Sequence, residues 1–207
     1  IAASVFCSNV ALGYAESQYR AVRSSNTYAT LAFANINEKN IPQLEYIEDN
    51  YGYDIGSALY ITKTAEKTYV IGWNGYDTAS NWFPHMSGRF FNEKEYEQAE
   101  NVVYISENIY TSLNGEKKIA LGDTTFDMIG YGWIIGNNFS SMIDSSSPQK
   151  VFDLNVSGSD CKFYILPYNT YVKEGYNTEL ILMRFNGLSR AELEKACSII
   201  QKDFSEY

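Results

Sequence analysis

The side chains that could do chemistry in this chain are few, and none of them stands in an arrangement typical of catalysis. His85 is the only histidine, and it lies between Pro84 and Met86. A catalytic triad needs a base next to an activated hydroxyl, and a lone histidine is more often structural or solvated. The stretch Val156 to Ser159 contains two serines, but it lacks the Gly-x-Ser-x-Gly turn of a nucleophile elbow. The sequence therefore predicts that the protein is not an enzyme.

Residues that bind metals, cofactors and phosphates are not grouped as such sites require. The three cysteines, at positions 7, 161 and 197, are odd in number and widely spaced, which is the pattern of neither a zinc site nor a disulfide framework. The sequence leaves open whether Cys161 and Cys197 form a single bridge. A run of acidic residues contains Glu93, Glu95, Glu97 and Glu100. This run lacks the alternating Asp or Asn ligands and the tight glycine turn of a calcium loop, so we interpret it as a solvated charged face. No Gly-x-x-x-x-Gly-Lys-Ser/Thr sequence occurs, so we expect no ATP site, no cofactor and no metal.

Composition and charge limit the classes of protein that the chain can belong to. It has 207 residues, of which 45% are hydrophobic and 20% charged, as in a globular protein with a real core. The formal net charge is 16 − 25 = −9, and an acidic protein repels the phosphate backbone of nucleic acids. The sequence contains no run of about 18 apolar residues, so it predicts no membrane span. The start, Ile1 to Cys7, is apolar and lacks an initiator Met, which is typical of a piece cut from a longer protein.

One segment favours contact with a partner. Residues 131–143 place large apolar side chains among Gly, Asn and Ser, and long loops with such side chains often carry contacts. The candidate partner-contact residues are Trp133, Ile135, Phe139 and Met142. The alternative is that these side chains fold back as local core, and the sequence leaves both interpretations open.

The elements that would position these residues follow from local patterns. Apolar periodicity predicts helices over residues 4–23 and 40–51. A hairpin is predicted from strands 57–63 and 68–73, followed by a turn at Asn74-Gly75. Further strands are predicted over residues 27–33, 102–106, 117–121, 126–130, 150–156, 162–166 and 178–185. A closing helix begins with the capping box of Ser189 and Glu192.

This order of elements predicts an α+β fold in two parts. Residues 1–87 and 177–207 would form a discontinuous α/β subdomain that resembles a porter subdomain. Residues 88–176 would form an inserted, strand-rich subdomain with one short helix, between residues 107 and 113. The similar strand and helix content on either side of the insertion suggests that the two flanks pair with each other.

The stretch from Gly88 to Gly130 identifies a family. It runs from Gly88-Arg89-Phe90-Phe91 through an acidic run to the strand that ends in Ile105-Ser106, and it closes with Phe126-x-x-Ile129-Gly130. This order and spacing resembles the extracytoplasmic domain of MacB/FtsX-type ABC transporter permeases, also called the MacB-like periplasmic core domain. The chain departs from the family pattern at Leu113-Asn114-Gly115, where the usual Pro-containing turn is replaced by a shorter connection.

The resemblance implies a place and a set of partners. Such a domain lies on the extracytoplasmic face of the cell membrane, between the first and second transmembrane helices of the permease. The permease forms a homodimer and works with a cytoplasmic ATPase, and members of the family export peptide or protein cargo or transmit motion to an external partner. We expect the domain to bind no nucleic acid and to be monomeric as a fragment, with Ile1 just outside the first transmembrane helix and Tyr207 just before the second.

Two other classes of function stay open at this level. The first is a secreted or lipid-anchored binding module for peptide or carbohydrate, which would use the 18 tyrosines as contact residues. The second is a hydrolase with two facing carboxylates, which would require carboxyl groups of perturbed pKa in a cleft.

Overall fold

The computed structural model describes the chain in several ranges, residues 28–32, 44–75, 85–133 and 162–185, and parts of the C-terminal segment, residues 188–189, 191–192, 195–196 and 198–200. The strands are β1 (Tyr28–Ala32), β2 (Ile55–Ala65), β3 (Thr68–Gly75), β4 (His85–Gly88), β5 (Val102–Ser106), β6 (Lys118–Leu121), β7 (Thr124–Trp133), β8 (Lys162–Pro167) and β9 (Leu180–Phe185). The helices are α1 (Leu44–Tyr51), α2 (Glu93–Glu97), α3 (Glu107–Ser112) and α4 (Tyr168–Lys173), with α5 formed by the described helical residues between 191 and 200. Within these ranges, no helix has the length and apolar character needed to span a membrane.

All nine described strands belong to one mixed sheet. Its order is β1-β9-β2-β3-β8-β5-β7, and the far side of β7 is shared by β4 and β6. Among the pairs formed by the described strands, only β3–β8 and β5–β7 are parallel. The predicted α+β class is therefore confirmed, as a mixed sheet covered by short helices.

The central strands are buried on both sides of the sheet. In β2, Ala58 and Tyr60 point into the same core cluster as Ile47 of α1 and Tyr171 of α4. The alternate residue Leu59 points to the other face and is equally inaccessible. Buried strands of this kind have near-continuous apolar sequences rather than a strict alternation, which explains why the β2 sequence was readable as a strand.

Several sequence expectations are confirmed. The β2–β3 hairpin has the predicted partners, with Ile61 opposite Ile71, and β8 ends at Pro167 as predicted. The capping box of the closing helix is present, because Ser189 N donates to Glu192 Oε2 over 2.8 Å and Glu192 N donates to Ser189 Oγ over 3.4 Å. The predicted helix over residues 4–23 and the predicted strand over residues 150–156 lie outside the described residues.

Two expectations were wrong. Asn74-Gly75 does not form a turn: both residues continue β3 and pair with Ala58 and Ser57. Gly75 has φ 152°, an extended conformation open to glycine that lets the strand run on where a turn was expected. Within residues 88–133 and 162–176, which the structure describes, there are three short helices instead of the one expected, because α2 forms in the acidic run and α4 follows directly after Pro167.

The division into residues 1–87 with 177–207 and residues 88–176 stays a prediction. Strands from both proposed parts lie in the same sheet, since β3 pairs with β8 along six residue pairs, from Thr68–Lys162 to Trp73–Pro167. If the division holds, the two parts share one sheet and are distinguished only by the path of the chain.

Candidate functional site

In the Gly88 to Gly130 stretch, the paired backbones of β4 and β7 come unusually close together at two glycines, a contact that we call the glycine crossing. Gly88 of β4 faces Gly130 of β7, and Arg89 N donates to Ile129 O over 3.1 Å. A Cβ atom on Gly88 would lie 2.5 Å from Ile129 O, and one on Gly130 would lie 2.7 Å from both Ser87 O and Arg89 O. Only glycine fits at either position, because no side chain can be placed that close to backbone atoms.

Directly after this crossing, Arg89 and Glu95 form a two-pronged ion pair. Arg89 Nη1 lies 2.8 Å from Glu95 Oε2, and Arg89 Nη2 lies 2.5 Å from Glu95 Oε1. The Glu95 side chain is only 3% exposed, whereas that of Arg89 is 52% exposed. The planar guanidinium matches both carboxylate oxygens at once, so the pair fixes orientation as well as charge.

The same carboxylate also begins helix α2. Asn92 is the N-cap: its side chain accepts from Glu95 N over 3.1 Å, and Asn92 N donates to Glu95 Oε2 over 2.9 Å. This reciprocal capping box satisfies two backbone N–H groups that a helix start leaves unpaired. The interpretation of the whole acidic run as a solvated face was therefore wrong for Glu95, although Glu93 and Glu97 are exposed. The Asn-x-x-Glu spacing was the signal that could have revealed it.

The electrostatics of Glu95 follow from these contacts. Burial opposes ionisation of the carboxyl, but the hydrogen bonds from Arg89 and from the Asn92 backbone outweigh burial, and the net effect lowers the pKa of Glu95. The hydrogen bond to Glu95 correspondingly raises the pKa of Arg89. Both groups are thus held in their charged forms.

An aromatic cluster packs behind the ion pair. The Phe90 ring lies 5.2 Å from the Trp73 ring and 5.5 Å from the Tyr104 ring, both edge to face, and 4.5 Å from the Phe91 ring. Phe91 in turn meets Tyr96 of α2 edge to face at 5.8 Å. These centroid distances are in the range that stabilises aromatic pairs. The cluster links β3, β5 and α2 through the Gly-Arg-Phe-Phe sequence, which therefore has a structural role.

Helix α4 fastens the connection between α2 and β5. Asn169 Nδ2 donates to Tyr96 O over 2.8 Å, and Thr170 Oγ1 donates to Glu100 O over 3.0 Å. Lys173 Nζ lies 3.4 Å from Ala99 O. Ala99 has φ 47°, an unfavourable value for a residue with a side chain, and these three contacts surround it.

A chain of hydroxyl groups ties α4 to β2. Thr62 Oγ1 donates to Asn177 O over 2.6 Å, so it accepts from Tyr171 OH, which lies 2.5 Å away. Tyr171 OH lies 3.0 Å from Thr178 Oγ1 and accepts from it. Burial raises the pKa of Tyr171 to about 12, although its hydrogen bonds to the two threonines act in the opposite direction. The Tyr171 ring rests on Gly72, where an added Cβ would lie 2.7 Å from Tyr171 Cγ.

The predicted partner-contact residues are only partly located. Trp133 is the last residue of β7 and pairs with His85 of β4. Ile135, Phe139 and Met142 lie outside the described residues. Trp133 lies at the end of the sheet where β5 also ends, at Ser106, opposite Gly132. We call this the Trp133 end of the sheet.

Near the Trp133 end, two tyrosines and a serine brace the neighbouring elements. The rings of Tyr110 in α3 and Tyr131 in β7 stack with centroids 3.6 Å apart. Ser106 Oγ accepts from Phe163 N over 3.1 Å and donates to Asn108 Oδ1 over 2.5 Å. This hydroxyl thereby joins the end of β5, the start of α3 and the start of β8.

Two carboxyl groups in the described ranges have a shifted pKa, and the direction of the shift bears on acid catalysis. Glu95 and Glu192 both have a lowered pKa, the second because of hydrogen bonds from Ser189. A general acid needs a raised pKa, so neither group suits that role. In the part of the chain that the structure describes, no group of three or more His, Cys, Asp or Glu residues could hold a metal ion.

Comparison with known proteins gives a consistent picture. The family model of the MacB-like periplasmic core domain matches residues 8–185. The fold is similar to the periplasmic region of MacB from Actinobacillus actinomycetemcomitans, with a TM-score of 0.50, 13% identity, and coverage of 87% of this chain and 85% of the other. It is also similar to the extracellular domain of the noncanonic ABC-type transporter YknZ from Gram-positive bacteria, with a TM-score of 0.52, 13% identity, and coverage of 86% and 94%. No curated protein gives a significant match.

The family match covers most of the chain and spans every described strand, and both solved structures have the same fold. The ion pair, the glycine crossing and the aromatic cluster all lie inside the matched range. The chain belongs to the MacB-like periplasmic core domain family, as an extracytoplasmic domain of a MacB-like ABC transporter permease.

Proposed function

We propose that this domain couples ATP hydrolysis in the cytoplasm to export or to mechanotransmission outside the membrane. In this proposal the permease is a homodimer that works with a cytoplasmic ATPase subunit or domain, and the cargo is a peptide or protein. The domain itself contributes no catalysis. It moves when the membrane part of the permease moves, and it passes that motion to cargo or to an external partner.

The observation that carries the proposal is the sharing of one sheet by the strands at both ends of the described fold. The first described strand, β1, pairs antiparallel with the last, β9, so that Tyr28 lies opposite Arg184. In a domain inserted between two transmembrane helices, the points at which the chain enters and leaves the domain must lie close together. Neighbouring entry and exit strands satisfy this requirement, and the continuous sheet offers a stiff path from them to β7 and Trp133.

The contact surface is proposed to include Trp133, Ile135, Phe139 and Met142. Support comes from the position of Trp133 at the last residue of β7, at a sheet end braced by the Tyr110–Tyr131 stack and by Ser106. A contact residue on a rigid strand end transmits displacement better than one on a loose support.

The test uses the full-length permease with its ATPase, reconstituted in membrane vesicles. The variant Trp133→Ala is compared with Tyr46→Ala, a matched aromatic truncation at a 49% exposed position in α1. We expect Trp133→Ala to lower peptide efflux or partner activation by roughly tenfold while ATP turnover persists, since a central aromatic contact is worth about 1–2 kcal/mol. Tyr46→Ala should leave both activities close to wild type.

Two results would count against the proposal. If both variants reduce the external output equally, the Trp133 end has no special role in contact. If the permease without this domain exports cargo and activates its partner as well as the intact protein, the domain does not couple anything.

A further inference from the structure

The two Asn–Gly pairs that the structure describes have very different surroundings. Asparagine followed by glycine is the dipeptide most prone to deamidation, because glycine places no side chain in the way of the ring that forms. The sequence has three such pairs, Asn74-Gly75, Asn114-Gly115 and Asn186-Gly187. The first two lie in the described ranges, and the third lies outside them.

Asn114 and Gly115 lie in an exposed turn between α3 and β6. Both residues are exposed, with φ values of 48° and 91°. A Cβ atom added to Gly115 would meet nothing within 4 Å. The hydrogen bond that closes this turn runs from Glu116 N to Leu113 O over 2.9 Å, so it does not use the nitrogen of Gly115. Water and the space for a new ring are therefore both available at Asn114.

Asn74 and Gly75 are the opposite case. They end β3 and pair with Ala58 and Ser57 of β2. A Cβ atom added to Gly75 would lie only 2.4 Å from Ser57 Cα. The backbone there has no room to rotate into a ring without opening the sheet, and such local opening costs free energy.

We propose that Asn114 is a site of spontaneous covalent modification by deamidation. The Gly115 nitrogen loses its proton and attacks the Asn114 side-chain carbonyl carbon, a new C–N bond forms, and ammonia leaves. Water then opens the resulting succinimide at either carbonyl, giving aspartate or isoaspartate. The balance is one amide and one water converted to one acid and one ammonia, with no oxidation.

The modification would change both charge and backbone at this turn. Each converted chain gains one negative charge, two residues before Glu116 and three before Lys117. In the isoaspartate product the main chain runs through the former side chain, which adds one methylene between α3 and β6. Lys117 O accepts from Met128 N over 2.8 Å. This hydrogen bond to β7 restrains the backbone from Lys117 onward, so the change in chain length would be felt mainly in the turn before it.

The experiment incubates the folded protein at a mildly alkaline pH and maps its peptides by mass spectrometry, with isoaspartate identified by its enzymatic methylation. We expect conversion at Asn114 to exceed conversion at Asn74 by at least about tenfold, because Asn74 reacts only after local opening. In urea-unfolded protein, the two sites should convert at similar rates. The rate at Asn114 should rise with pH, since the attacking nitrogen must lose a proton.

Two variants keep the test sharp. Asn114→Gln should abolish conversion at this position, because its ring would have six members and forms slowly. Gly115→Ala should slow conversion, and its folding is checked separately because its φ disfavours alanine. Equal conversion at Asn74 and Asn114 in the folded protein, or no conversion at Asn114 where the unfolded protein converts, overturns the proposal.

Discussion

At the scale of single residues, the most informative group is Glu95. It is almost fully buried, it accepts two hydrogen bonds from Arg89, and it caps the helix that contains it. One carboxylate therefore holds the Gly-Arg-Phe-Phe sequence and the start of α2 in a single geometry. Because half of the Arg89 side chain remains in water, the attraction is screened more than in a fully buried pair.

Replacement of Arg89 by Met tests the strength of this ion pair. We expect Arg89→Met to lower the free energy of unfolding by about 2 kcal/mol, because it leaves the buried Glu95 charge without its cation. The control is Lys94→Met, which breaks the exposed Lys94–Glu100 pair and should cost only a few tenths of a kcal/mol. Urea denaturation measures both. Equal costs would show that Arg89 contributes no more than an ordinary surface charge.

The pH dependence of stability offers a separate test of Glu95. Its pKa is lowered in the folded state, so its contribution is complete above the ordinary glutamate pKa of about 4.3 and is lost as the pH falls toward the folded value. The difference in unfolding free energy between the wild type and Glu95→Gln should be largest near neutral pH and should shrink in acid. Thermal unfolding across a pH series measures it. A difference that stays constant across that range would contradict the assignment.

At the scale of elements, the sequence predicts structures that depend on local patterns, but it does not predict those that depend on contacts between distant residues. The β2–β3 hairpin was predictable because its two apolar strands flank a short polar turn. The fate of Asn74-Gly75 was not, because pairing with Ser57 and Ala58 overrides the local turn preference. Helix α2 was missed for a similar reason. The charges of the acidic run predicted an exposed segment, whereas contacts with Asn92 and Arg89 hold the Glu95 side chain in a buried position. The predicted contact residues could be placed only as far as Trp133.

The crossing of β4 and β7 gives a prediction at this scale. Gly130→Ala would place a Cβ atom 2.7 Å from two backbone oxygens, so we expect a loss of about 3 kcal/mol or more, or a failure to fold. The control is Gly122→Ala, where φ is 61° but the surroundings are open, and where left-handed strain alone should cost about 1 kcal/mol. Chemical denaturation ranks the two, and a smaller cost at position 130 would mean that the strands separate easily.

At the scale of the whole molecule, the dominant feature is the continuity of the sheet. The proposed subdomains, residues 88–176 and the two flanking segments, share the parallel pairing of β3 with β8. The hydroxyl chain from Thr62 through Tyr171 adds a second connection, because α4 belongs to one part and β2 to the other. Pairings between residues this far apart in sequence leave no local signature, which is why the sheet order could not be predicted.

This continuity predicts one cooperative unfolding transition. Calorimetry should give a calorimetric enthalpy equal to the van't Hoff enthalpy, and tryptophan fluorescence should follow the same curve as backbone circular dichroism. Two separated transitions would show instead that the parts behave as independent folding units. The variant Tyr171→Phe, which removes the central hydroxyl, should lower the midpoint without splitting the transition.

The position of β9 has a consequence for how the protein is made. β9 lies between β1 and β2, although it emerges from the ribosome long after both. Until residues 180–185 arrive, the first two strands cannot occupy their final places, and each keeps an open row of backbone donors and acceptors. Such open strands are where chains stick to one another. β9, the last of the described strands in the chain, thus completes the interior of the sheet. A chain that stopped before residue 180 would leave exposed the edges of β1 and β2 that β9 covers in the complete domain.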